Sequence, residues 1–140
     1  MATNKTRRNI VLGAIAYVIG TFPLAVLWHV VAFGDTYRTL GYFGDQPLFL
    51  LGLLAIIMQG TLLSIGYSFV YTNRYTRRSA FTYVSFVGVF FWTSHVLAAA
   101  AKNQFTSIPQ FVALESIYLA LQFGLFGVAL AFIYREHGAP

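Results

Sequence analysis

The chain contains no cysteine and very few charged side chains. Its 140 residues include only four acidic residues, and charged residues make up 9% of the total. Without thiols the protein cannot form disulfides, thiolate-bound zinc or iron–sulfur sites, or use a cysteine nucleophile. The sequence also has no P-loop, Rossmann glycine fingerprint, HExxH or GxSxG segment. It therefore shows none of the common motifs of soluble enzymes.

Four long apolar stretches dominate the sequence instead. They cover residues 10–34, 47–72, 80–101 and 110–134. A helix rises ~1.5 Å per residue, so about 20 apolar residues cross the ~30 Å hydrocarbon core of a bilayer. The first stretch is too long for a cleaved signal peptide. The sequence predicts a single domain over residues 1–140, folded as an all-α, antiparallel four-helix transmembrane bundle.

The basic residues predict how the bundle is oriented. Seven of the nine lie at the two termini or between the second and third stretches: Lys5, Arg7, Arg8, Arg74, Arg77, Arg78 and Arg135. Only Arg38 and Lys102 fall on the other side. By the positive-inside rule both termini are cytoplasmic. Since the basic residues flank the spans and form no basic face, we expect the lipid bilayer, and no nucleic acid, as the partner.

Small residues predict where the spans pack. Helices in lipid associate through close contact at Gly, Ala and Ser. The second span offers Gly60, Ser64 and Ser68 at four-residue spacing, and the fourth offers Ala120 and Gly124. These stripes suit contacts within one protomer or between protomers, so a homo-oligomer or a larger membrane complex is expected.

A weak internal repeat relates the two halves of the chain. Trp28-His29 in the first span is echoed by Trp92 and His95 in the third, and Pro47 is echoed by Pro109. Gln59 precedes Tyr71 by the same spacing that separates Gln122 from Tyr134. The pattern suggests two parallel-repeated helical hairpins, although any two apolar hairpins share some aromatic residues and prolines by chance.

Polar residues within the spans define a candidate site. Glu115 is the only acidic residue in any of the four spans, and an ionisable residue there is costly. It lies ~8 Å below the outer start of its span, while His29 and His95 lie ~28 Å and ~22 Å above the inner starts of theirs. All three are therefore expected to converge in the outer third of the bilayer. The candidate ligand-binding residues are His29, His95, Glu115, Gln59, Gln122 and Trp92.

Several functions are compatible with this cluster. A hydrogen-bonded Glu–His group can simply fix helix register. Two imidazoles and a carboxylate also suit a transition metal such as Zn, Cu, Ni or Fe, and two histidines on different helices could hold a haem. Glu115 and His95 could instead transfer protons in a membrane enzyme or transporter. The favoured interpretation is a small non-enzymatic membrane protein with an outward-facing metal or ligand site; the alternative is an accessory subunit of a larger complex.

The segment between the first two spans carries both charged and aromatic residues. Asp35, Arg38 and Asp45 predict an exposed polar turn, which could alternatively cover the mouth of the site. Tyr37 and Tyr42 are expected to belong to an aromatic belt at the membrane interface. His137, in the C-terminal tail, is expected to be solvated.

Three segments resemble those of small bacterial four-helix membrane proteins of unknown function. They are Thr21–His29, Trp92–Ala98, and Ala113–Tyr118 with Gln122–Gly124. The resemblance covers nearly the whole chain and implies four spans in a bacterial cytoplasmic membrane. It implies no activity, so no catalytic residue follows from it.

Overall fold

A computed structural model describes residues 4–43, 47–71 and 75–135. Asp45, Arg74 and His137 lie outside these residues. The described part of the chain forms helices and no strand. In chain order these are α1 (Asn4–Val26), a π-helical segment π1 (Leu27–Ala32), α2 (Gly34–Leu40), α3 (Phe49–Val70), α4 (Arg77–Phe91), a second π-helical segment π2 (Trp92–Leu97), α5 (Ala98–Lys102) and α6 (Ile108–Ile133).

Four helical stretches are long and apolar enough to cross a membrane. They are Asn4–Ala32, Phe49–Val70, Arg77–Lys102 and Ile108–Ile133. Each overlaps one of the stretches predicted from composition. The prediction of an all-helical protein with four candidate spans is thus confirmed.

Many large apolar side chains of the helices are exposed on the surface of the protein. Leu50, Phe69 and Phe86 are 81%, 84% and 77% exposed, as suits contact with lipid. The buried face of α1, by contrast, consists of Asn9, Gly13, Tyr17 and Thr21. These residues recur every fourth position and so share one side of the helix. Polar and small side chains therefore fill part of the interior.

Two members of the stripe of small residues on α3, Gly60 and Ser64, lie against α1. Gly60, Ser64 and Ser68 are all buried. A Cβ at Gly60 would lie 2.9 Å from Cδ1 of Tyr17, and a Cβ at Gly13 would lie 2.7 Å from Oγ of Ser64. Because real Cβ contacts are not this short, the glycines allow the close approach of the two helices.

Gly124, in the stripe of small residues on α6, makes no close contact within the described residues. A Cβ at Gly124 would meet nothing within 4 Å. A Cβ at Gly127 would instead lie 2.8 Å from Val84 and 3.2 Å from Phe81. The buried face of α6 includes Phe123, Phe126 and Gly127, so Gly124 lies at the edge of this face. A contact of Gly124 with another protomer stays a prediction.

Tyrosines join the helices at the end opposite the two histidines. The Tyr83 hydroxyl on α4 donates to the carbonyl of Leu63 on α3 at 2.8 Å. Ser68 and Tyr134 are hydrogen-bonded at 2.6 Å. Four tyrosine rings have centroids within 6 Å of the centroid of the Tyr67 ring: Tyr71, Tyr75, Tyr83 and Tyr134. This end of the bundle is held by side chains that combine ring packing with hydrogen bonding.

The predicted polar turn after the first span is a short helix. In α2 the charged pair is exposed, with Arg38 donating to Asp35 at 2.9 Å, but Gly34, Tyr37 and Leu40 are buried. The three-residue spacing places these three on one helical face, which covers the bundle interior. Gly41 ends the helix with a left-handed φ of 81°, a conformation that glycine adopts without a steric penalty.

Candidate functional site

Each of the two histidines lies in a π-helical segment. In π1, which holds His29, the Phe33 amide donates to the Trp28 carbonyl at 3.0 Å. In π2, which holds His95, the Ala98 amide donates to the Thr93 carbonyl. Each bond skips one residue more than an α-helical bond does. Such turns redirect side chains within a helix and are frequent at functional sites.

Glu115 on α6 lies between the two histidines. His29 Nε2 is 2.9 Å from Glu115 Oε1, and His95 Nε2 is 3.0 Å from Glu115 Oε2. The Glu115 side chain is fully buried, whereas those of His29 and His95 are 12% and 41% exposed. The predicted convergence of the three side chains is therefore confirmed. We refer to His29, Glu115 and His95 as the triad.

Helix α2 adds a third hydrogen bond to the carboxyl group. The Tyr37 hydroxyl donates to Glu115 Oε1 at 2.5 Å and accepts from Trp28 Nε1 at 3.1 Å. Burial, followed by the hydrogen bond to Glu115, raises the pKa of Tyr37. Tyr37 therefore remains a protonated phenol and a fixed donor to the triad. Both Tyr37 and its donor Trp28 were missed as site residues.

The hydrogen bonds of His29 locate an exchangeable proton. His29 Nδ1 is 3.1 Å from the Ala25 carbonyl. Since a carbonyl oxygen can only accept, Nδ1 carries a hydrogen and donates it. The contact between His29 Nε2 and Glu115 Oε1 then needs a second proton, held either by the imidazole or by the carboxyl group. In both cases the His29–Glu115 pair is electrically neutral, which lowers the cost of burying it.

His95, the third member of the triad, differs from His29 in its hydrogen bonds. Its Nε2 can donate to Glu115 Oε2 from a neutral imidazole. The same nitrogen lies 3.5 Å from the hydroxyl of Tyr42, but a nitrogen that donates offers no lone pair to that hydroxyl. Tyr42 therefore has no good acceptor in His95. His95 is the most exposed member of the triad.

The other three predicted site residues do not join the triad. Gln122 Nε2 donates to the Tyr17 hydroxyl at 2.5 Å, and that hydroxyl donates to Gln59 Oε1 at 3.2 Å. These residues form a separate polar layer between α1, α3 and α6. Trp92 Nε1 donates to Ser116 Oγ at 2.8 Å. Glu115 and Gln122 were both predicted as ligand-binding residues, but Tyr118 lies between them on α6.

Tyr118 packs against the triad on the side that faces the Tyr17 layer. It is buried, and its ring centroid is 4.5 Å from that of His29 in an edge-to-face arrangement. Gln122, one helical turn further along α6, belongs to the Tyr17 layer. Within the described residues, the candidate site thus lies between the Tyr118 ring, on the side of the Tyr17 layer, and α2.

The distances in the triad are those of direct hydrogen bonds. Among the described residues, no group of three or more His, Cys, Asp or Glu side chains is placed to hold a metal ion. The Nε2 atoms contact the carboxylate oxygens themselves, whereas metal ligands would each point at a common ion about 2.0–2.2 Å away. A metal at His29, His95 and Glu115 stays a prediction that requires these side chains to rearrange.

The missed residues did leave a signal in the sequence. Gly34, Tyr37 and Leu40 recur at three-residue intervals in a segment assigned to a turn. That spacing is typical of one face of a short helix. Assigning Tyr37 and Tyr42 to an interfacial belt concealed their positions next to a buried carboxyl group.

Comparison with protein-family models, curated proteins and solved structures finds no match for this chain. The resemblance to small bacterial four-helix membrane proteins therefore stays a prediction. The geometry of the site carries the functional argument.

Proposed function

We propose that this chain is an antiparallel four-span protein of a bacterial cytoplasmic membrane, with both termini in the cytoplasm. The order of contacts supports the antiparallel arrangement. Along α1 and its extension π1, Tyr17 contacts Gln122 and His29 contacts Glu115, so one helix ascends as the other descends. The positive-inside rule places the triad towards the external face.

The function that this geometry favours is reversible proton binding at an outward-facing site. The observation that carries this proposal is the direct contact of both oxygens of the buried Glu115 with an imidazole nitrogen, at 2.9 and 3.0 Å. A carboxyl group and two imidazoles that share protons form a site whose charge changes with pH. We infer that protons reach this site through His95, its most exposed member.

A change in protonation would act on α2. When the His29–Glu115 pair loses its proton, the triad acquires a buried negative charge, and when His95 gains one, the triad becomes positive. Tyr37 is the group that joins Glu115 to α2. The position of α2 is therefore coupled to the charge of the triad. This makes the protein a small, non-enzymatic sensor of external pH.

The protein is also suited to association with other membrane helices. Ser85, Gly88, Ala120 and Gly124 line a shallow surface between α4 and α6. A homo-oligomer, or a role as an accessory subunit of a larger complex, would use such a surface. In either case the triad would report external pH to the assembly.

The pseudo-repeat supports a fold built from two related hairpins. Gln59 and Gln122, which occupy corresponding positions in the two halves, both bond to the hydroxyl of Tyr17. His29 and His95 each lie in a π-helical segment. We infer that the two halves are parallel-repeated hairpins that place one histidine each on Glu115.

Infrared difference spectroscopy of the purified protein tests proton binding. Between acidic and alkaline buffer we expect carboxyl and imidazole bands to change in the wild type. In Glu115→Gln the part of the carboxyl signal that comes from Glu115 should be lost, while the signal of the other acidic residues remains. Gln110→Glu, which places a carboxyl group at an exposed position of α6, is the control for an ordinary solvated acid. Identical spectra for the wild type and Glu115→Gln would reject the proposal. Stoichiometric metal that is lost in Glu115→Gln would instead favour the metal site.

A further inference from the structure

A cavity of about 310 Å³ lies beside His29, outside the triad itself. Its volume is at the lower end of the range of small-molecule sites, about 300–1,000 Å³. The walls come from α1, π1, the residues after α2, and the start of α3, and they include His29, Tyr42, Phe43, Leu48, Phe49 and Gly52. Leu48 and Phe49 at its edge are exposed, so the cavity opens towards the lipid.

The residues that line the cavity favour the binding of an uncharged ring compound. None of the described residues around the cavity is Asp, Glu, Lys or Arg, so these residues offer no counter-ion to a charged ligand. Aromatic rings are frequent in the wall, and those of His29, Tyr42 and Phe43 are within about 6 Å of one another. Aromatic walls favour a flat ring over a simple acyl chain.

One polar group is available to orient such a ligand. Both nitrogens of His29 already have partners, in Ala25 and Glu115. Among the described residues, the Tyr42 hydroxyl has only a long contact of 3.5 Å, with His95 Nε2, a nitrogen that also lies 3.0 Å from Glu115 Oε2. The Tyr42 hydroxyl is therefore available to donate to a better acceptor. Burial raises the pKa of Tyr42, which keeps the phenol protonated. A carbonyl oxygen on the ligand fits this donor.

We propose that the cavity binds a membrane-dissolved quinone-like molecule, an uncharged carbonyl-bearing ring on an apolar tail, with its carbonyl on Tyr42. The tail extends past Leu48 and Phe49 into the lipid. The proposal depends on the proposed function only in placing this cavity in the outer leaflet. A bound ring would lie beside His29 and would thereby connect ligand binding to the protonation of the triad.

Two open glycines provide a matched pair of variants. A Cβ at Gly52 or at Gly124 would meet nothing within 4 Å, so a leucine at either position is compatible with the fold. Only Gly52 lines this cavity; Gly124 lies on α6. Gly52→Leu should fill the cavity, whereas Gly124→Leu should not.

Calorimetric titration of the purified protein with an alkyl-substituted benzoquinone tests the proposal. We expect saturable binding by the wild type and by Gly124→Leu. Binding should weaken at least about tenfold in Gly52→Leu and about tenfold in Tyr42→Phe, a factor expected when one buried hydrogen bond is lost. Normal infrared changes in both variants would show that the triad is intact.

Three outcomes would overturn the proposal. They are no saturable binding by the wild type, equal binding by Gly52→Leu and Gly124→Leu, and equal competition by an alkane of the same length without a ring. The last result would identify the occupant as a lipid chain. Since the infrared measurement requires no quinone, a failure here is distinguishable from a failure of the proton site.

Discussion

Replacing Glu115 with leucine should destabilise the protein more than any other single substitution within the spans. Leucine has a similar size but accepts none of the hydrogen bonds from His29, His95 and Tyr37. Removing one member of a buried charged group leaves its partners unpaired and typically costs about 3–5 kcal/mol. The measurement is the thermal unfolding midpoint in mild detergent.

Glu115→Gln should fall between leucine and the wild type. The carboxylate accepts at both oxygens, whereas the amide accepts only at its oxygen and carries hydrogens on its nitrogen. At least one of the three partners, His29, His95 or Tyr37, then loses its acceptor or has to change its own hydrogen bonding. We expect a loss of about 1–3 kcal/mol, the cost of one unsatisfied buried group. Gln110→Leu, an exposed change at the start of the same helix, is the control. A Glu115→Leu protein as stable as this control would mean that the carboxyl group is not buried among these partners.

The second large effect is expected at Tyr17, in the layer below Tyr118. Tyr17→Phe keeps the ring contact with Phe126, at a centroid distance of 4.9 Å, and the packing against Gly60. It removes the hydroxyl that joins Gln59 to Gln122. Intact hydrogen bonds between membrane helices are worth about 0.6 kcal/mol on average. Leaving the buried Gln122 amide unpaired costs more, so we expect a loss of about 1–3 kcal/mol in the unfolding free energy.

A comparison with Tyr71→Phe separates this effect from a general loss of tyrosine. The Tyr71 hydroxyl makes no hydrogen bond within the described residues, and its ring packs on Tyr67. Tyr71→Phe should therefore unfold at nearly the wild-type temperature. Tyr17→Phe should also retain the infrared changes of the triad. Equal stabilities of the two variants would contradict the role of Tyr17 as a link between three helices.

The convergence of the triad could be predicted because it depends on two simple quantities. The length of an apolar stretch sets where a span starts, and the rise per residue sets the depth of His29, His95 and Glu115. The scarcity of charge made Glu115 conspicuous. The spans could be predicted for the same reason, since composition alone distinguishes them from loops.

The remaining parts of the site depend on rotation about the helix axes, which depth does not specify. A π-helical segment adds a residue to a turn and so changes which side chain faces inward. The sequence around His29 and His95 contains no feature from which these segments could be predicted. The separation of Gln122 from Glu115 by Tyr118 requires knowledge of side-chain size and direction. A stripe of small residues, such as that of Ala120 and Gly124, does not say which neighbouring helix it faces.

Tyr37 illustrates a different difficulty. A tyrosine next to charged residues near the end of a span is typical of an interfacial belt. Its burial depends on the folding of α2 back over the bundle, a tertiary contact that local composition does not encode. The hydrogen bond to Glu115 then makes Tyr37 part of the site.

Fluorescence after a pH jump in oriented proteoliposomes tests the central claim most directly. In a Trp92→Phe protein, Trp28 is the only tryptophan, and its Nε1 donates to Tyr37 beside the triad. A step in external pH should change its emission within the mixing time, a step in internal pH alone should not, and neither should act in the same protein carrying Glu115→Gln. A response to internal pH alone, or an undiminished response without the Glu115 carboxyl group, would contradict an outward-facing proton site.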